Sequence, residues 1–104
     1  MILSTTDTIP GREVSEILGV AKGNAVRARH MGNDILAGLR NMVGGEIVEY
    51  TKLMAESREQ SIDRMVQAAE DMGADAVIGI RLTTSMVMKH AAEILIYGTA
   101  VRLR

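Results

Sequence analysis

The sequence predicts an α+β domain: a small antiparallel-type sheet with two helices, in the order β-β-α-α-β-β. Three observations predict it. Segments rich in β-branched residues occupy both ends of the chain. The middle repeats apolar residues at helical spacing, and glycines stand where helices should stop. At 104 residues the chain has the size of a single domain, 1–104.

Residues 2–8 are short and β-branched, and Pro10-Gly11 marks a turn. A strand is expected over 13–26, with Gly19 and Gly23 marking a bulge or bend. After the polar run 27–33, Asn33 suits an N-cap and Asp34 the positive end of a helix. Ile35, Leu36, Leu39, Met42 and Val43 then recur at helical spacing, and Gly44 stands where a left-handed terminating residue is wanted. A longer helix is expected over 48–72, with Met54, Ile62, Met65, Val66, Ala69 and Met72 on its apolar side and Gly73 closing it. Glu56, Glu59, Asp63, Glu70 and Asp71 read as its solvated face.

Two strands close the chain, within 74–85 and 91–103. Strict alternation puts Ile78, Ile80 and Leu82 on one face and Val77, Gly79, Arg81 and Thr83 on the other. It likewise sets Ile94 and Ile96 against Leu95 and Tyr97. Both strands are therefore apolar on both faces. Two helices cover one face of such a sheet, and the other face needs cover from a further copy of the chain. Gly79 and Gly98 leave room for a neighbouring copy to come close.

Composition narrows the chemistry. The formal net charge is −1, so no global field recruits nucleic acid or anionic lipid. There is no cysteine, which removes disulfides and thiolate metal sites. With two tyrosines and no Phe or Trp, base stacking has little to work with, and no nucleic-acid partner is expected. No stretch approaches the roughly 20 apolar residues of a membrane span, and no signal-like N-terminal segment is present. A cytoplasmic location and no membrane partner follow as expectations.

The motifs are few. Gly44-Gly45 lacks the Lys and Ser/Thr of a phosphate loop and reads as a hinge between helices. Arg40 and Arg58 interrupt apolar helical rows, so each is expected to meet a carboxylate, Glu56 or Glu93, within the subunit or across an interface. Met86, Met88 and His90 stand at alternate positions, which on a regular strand brings two thioethers and an imidazole to one face. Such a donor set suits Cu(I), a soft transition metal. No catalytic residue and no cofactor-binding motif stands out.

Ser4-Thr5-Thr6, Ala37-Gly38-Leu39-Arg40 running to Gly44-Gly45, then Tyr50, Glu56 and Arg58, Gly73 to Val77 and Gly98 to Val101 form a set that spans nearly the whole chain. In this combination the sequence resembles the YbjQ-like family of small proteins. The resemblance implies a subunit akin to that of dodecin, assembled with copies of itself into a ring, typically a pentamer, under a heavy-metal-binding label. The expected function is binding rather than catalysis, by a ring-forming homo-oligomer. A soft-metal binder and a carrier that holds a small flat ligand between subunits are the alternatives.

Overall fold

The structure is a computed structural model and describes residues 1–28, 42–43, 46–88 and 91–104. Its elements are β1 (Ile2–Leu3), β2 (Val14–Ala28), β3 (Met42–Val43), β4 (Glu46–Ile47), helix α1 (Val48–Asp71), β5 (Ala76–Met88) and β6 (Ala91–Leu103). Four strands form one sheet in the order β1-β5-β6-β2. The β5–β6 and β6–β2 pairs are antiparallel, whereas β1 runs parallel to β5. The sheet is therefore mixed rather than purely antiparallel. The chain enters beside β5 in the same direction, with the amides of Ile2 and Ser4 donating to the carbonyls of Asp75 and Val77.

One helix lies among the described residues. Met42 and Val43, expected to end an earlier helix, instead pair as a strand with Ile47 and Glu46. Short β-branched runs satisfy a helical spacing and a strand equally well, and here the antiparallel partner decides. The remainder of that expected helix, including Arg40, lies outside the described residues, as do Gly44 and Gly45. The long helix ends as the sequence implied. Gly73 takes φ 80°, and the amides of Gly73 and Ala74 return to the carbonyls of Glu70 and Ala69.

Helix α1 packs over β2 and β6, and the strand side of this contact is built from small residues. Ala21, Gly23 and Ala25 pair with Gly98, Ile96 and Ile94 of β6 and share their face. Ser57, Ser61 and Met65 of α1 are buried above them. The Ser61 hydroxyl shares its proton between the carbonyls of Ser57 at 2.8 Å and Ile94 at 3.2 Å, so the polar group is satisfied inside the layer. The Arg64 guanidinium donates to the Asn24 carbonyl at 2.6 Å and Arg27 to Gln60 at 2.9 Å, fixing the helix along the β2 edge. Beyond them, Ala21, Met65, Ala69, Val77, Ile96 and Ala100 form the core.

One bulge reverses the expected faces of β5. Ile78 pairs with Thr99 and Arg81 with Tyr97, so Gly79 and Ile80 together oppose Gly98. Gly79 sits at φ 61°, a left-handed conformation that costs a residue with a Cβ about 1–2 kcal/mol. Past the extra residue, Ile80 and Leu82 join Val77 on the helix side, while Ile78, Arg81 and Thr83 share the outer face. The extra turn of backbone also aims the Gly79 amide at the Thr6 carbonyl and the Ile80 amide at that of Ser4.

Candidate functional site

The outer face of the sheet is covered at one end, where Ala76 and Val101 pair and are fully buried, and open further along. Cross-strand pairs define its rows: Val20, Thr99 and Ile78; Lys22, Tyr97 and Arg81; Asn24, Leu95 and Thr83. In a covered sheet such positions are dry. Here Val20 is 63% exposed and Tyr97 40%, and Ile17 and Val26 are exposed on the same side. Scattered apolar residues at a surface are ordinary; here Ile17, Val20 and Val26 lie together along the edge strand β2, with Tyr97 on the inner strand β6. The middle row sets Tyr97 between two cations. Lys22 has no acceptor among the described residues, and Arg81 spends Nη1 on the carbonyls of Thr5 at 2.9 Å and Ile80 at 2.8 Å.

The second open feature is an edge. β1 pairs only with Ala76 and Val77 of β5, and residues 4–6 continue the cover only to Ile80. From Leu82 to Met88 no described residue pairs the outer side of the strand, and this stretch carries neither charge nor proline. Natural edges are normally blunted by such residues. The opposite edge, β2, is better defended: it carries the bulge at Gly19, and Arg64 is bonded to a β2 carbonyl.

The expected metal ligands fare differently. Met86 pairs with Ala92 and Met88 with Ala91. Because Ala91 and Ala92 point to opposite faces, the bulge between them sends the two methionines to opposite faces as well. Both are open to solvent, 76% and 66% exposed, and His90 lies outside the described residues. Regular alternation does not therefore bring the two thioethers together. Among the described residues no group of three or more His, Asp or Glu is placed to hold a metal ion.

The other predicted positions divide by face. Ile96 is in the core and Tyr97 on the outer face, as alternation required. Gly98 does not make room for a second copy, because a Cβ there would meet Val77 Cγ1 at 2.6 Å, the Ile78 carbonyl at 2.9 Å and Ile80 Cγ1 at 3.0 Å. The space belongs to β5 of the same chain. Arg58 is exposed, and its Nε donates to the Met54 carbonyl at 3.3 Å. Within the chain no described carboxylate meets it, and Glu93 accepts instead from Asn24 at 3.2 Å. α1 lies over β2 and β6, so its β5-facing flank at Arg58 reaches water. Sequence reasoning missed Gly23 as a packing position and the Lys22–Tyr97–Arg81 row. Gly79 carried the signal for that row, since only its bulge places Arg81 beside Tyr97.

A family model described as "Putative heavy-metal-binding" matches residues 1–104. The chain belongs to the YbjQ family. Its YbjQ-type relatives include a UPF0145 protein of Archaeoglobus fulgidus, 59% identical over 104 residues, covering 100% of this chain and 96% of the relative. A UPF0145 protein of Methanosarcina acetivorans is 57% identical over 103 residues, 99% of this chain and 97% of its own. One from Halorubrum lacusprofundi is 57% identical over the full length of both. Among solved structures, a DUF74-family protein of unknown function from Pediococcus pentosaceus shares the fold. It has a TM-score of 0.71 at 14% identity, with 100% of this chain and 98% of that one covered. No helix among the described residues is long and apolar enough to cross a membrane.

Proposed function

We propose that this YbjQ-family chain is a homo-oligomeric binding module: copies close into a ring of five, with a dodecin-like subunit, through the outer sheet face and the open edge of β5. The observation that supports this reading is the open part of the outer face, where Val20 on the edge strand β2 and Tyr97 on the inner strand β6 are exposed. A ring also satisfies the outer-side amides and carbonyls from Leu82 to Met88 that no described residue pairs, without leaving an edge. It also offers Arg58, unpaired by the described carboxylates of its own chain, an acidic partner on a neighbour. Native mass spectrometry and sedimentation at micromolar concentration test the proposal, with a closed five-copy species as the expected result. A stable monomer overturns it, and a dimer defeats the count alone.

A second reading is a soft-metal site at the far end of β5, favoured by the exposure of two thioethers there. With Met86 and Met88 turned to opposite faces, each meets a metal only in company with other donors, such as His90 or a residue of a neighbouring copy. The expected result is weak Cu(I) binding under reducing conditions, lost when Met86, Met88 and His90 are all replaced by Ala. Unchanged stoichiometric uptake by the triple variant excludes these residues.

A further inference from the structure

We infer that the Lys22–Tyr97–Arg81 row on the outer face is a binding site for a small anionic aromatic molecule, a planar ring bearing a phosphate or carboxylate. The register is the basis. Tyr97 stands directly opposite Lys22 on β2 and opposite Arg81 on β5, which sets the three Cα atoms about 5 Å apart in sequence across the strands. The ring has room to be stacked upon, with Tyr97 exposed and only Thr99 and Leu95 as same-face neighbours along its own strand.

The cations differ in a useful way. Arg81 is held in place, because Nη1 is anchored by two carbonyls. Its Nε and Nη2 donate to nothing among the described residues, so a fixed guanidinium presents free donors beside the tyrosine. Lys22 supplies a mobile point charge on the other side. Glu93 lies four residues along β6 from Tyr97, about 13 Å away, and is engaged by Asn24. The Asp7 carboxylate stands nearer, 3.5 Å from where a Cβ on Gly79 would lie, yet no described carboxylate forms an ion pair with Lys22 or Arg81, so both cations of the row stay unpaired among the described residues. A ring on Tyr97 with an anionic group reaching Lys22 or Arg81 satisfies all three side chains at once. A lone aromatic platform fits a single small ring and not a nucleic-acid strand, which needs successive stacking partners.

This inference rests on the reading of the outer face as an interface and places the molecule between the row and the neighbouring copy, whatever the number of copies in the ring. The test uses the full chain and isothermal titration with AMP, adenosine and inorganic phosphate. AMP is expected to bind about tenfold more tightly than either half of it, since one charge-assisted contact and one stacking contact each contribute about that factor. Tyr97→Leu and Lys22→Met should each weaken AMP about tenfold, while Tyr97→Phe, which keeps the ring, should bind as the parent does. Sedimentation of the same samples separates the two proposals, because Lys22→Met leaves the apolar part of the face intact and should leave assembly unchanged. AMP binding that is absent at millimolar concentration, or equal in the parent and Tyr97→Leu, overturns the inference. So does dissociation of the assembly by Lys22→Met without any AMP binding, which would assign the two cations to carboxylates of a second copy.

Discussion

Replacing Gly23 by Ala should lower stability by about 3 kcal/mol or more, at the upper end of what overpacking costs. A Cβ at this position would collide with the Ser61 carbonyl oxygen and the Met65 amide nitrogen, and would lie 2.9 Å from the carbonyl carbon of Arg64. All three are helix backbone, so no side chain can rotate away. Either α1 lifts off β2 or β2 bends, and both routes open the layer that holds Ser57, Ser61 and Met65. Urea unfolding followed by circular dichroism measures this directly. Glu59→Ala, at an exposed helix position, serves as a control expected to stay within about 0.5 kcal/mol of the parent. A Gly23→Ala midpoint close to that control would show that the contact is softer than described.

The second large effect separates the two faces of β6. Ile96 is 5% exposed and sits in the core with Met65 and Val77. An unpaired carboxylate there costs several kcal/mol, which is comparable to the whole stability of a small domain. Ile96→Asp is therefore expected to abolish folding. Tyr97→Asp places the same charge one residue along on the outer face, and the subunit should keep its circular dichroism spectrum while sedimenting as a monomer. A Tyr97→Asp protein that stays fully assembled would remove the outer face from the interface.

Much of this architecture was legible in the residues, and the exceptions have identifiable causes. Periodicity located β6 at 91–103 and placed the end of the long helix one residue beyond its observed close at Asp71, with Gly73 supplying the left-handed turn. Alternation set Ile96 and Tyr97 on opposite faces without error, because β6 is regular from Ala91 to Thr99 on the β2 side. The same rule misplaced Ile78, because alternation assumes one residue per position and β5 has an additional one at Gly79. It misplaced Met88 relative to Met86 for the same reason. A bulge is decided by the partner strand and the docked N-terminal segment, which no local window contains. Met42 and Val43 were ambiguous by length, and long-range pairing settled them. The candidate row was hidden one step deeper, since Lys22, Arg81 and Tyr97 are far apart in sequence and meet only through register.

The bulge at Gly79 has a consequence for how the gene could change. Removing that residue leaves Val77, Ile78, Ile80, Arg81, Leu82 in succession, which is an uninterrupted inward-outward alternation with every side chain on the face it already occupies. Substitution at this site is the harsher event, since φ 61° penalises any Cβ, whereas excision removes the strain together with its cause. What excision gives up is the amide that reaches Thr6, one of the bonds that dock residues 4–6 along the strand. Gly79 therefore behaves less as a part of the strand than as a fastener inserted into it, one whose removal leaves the core in frame.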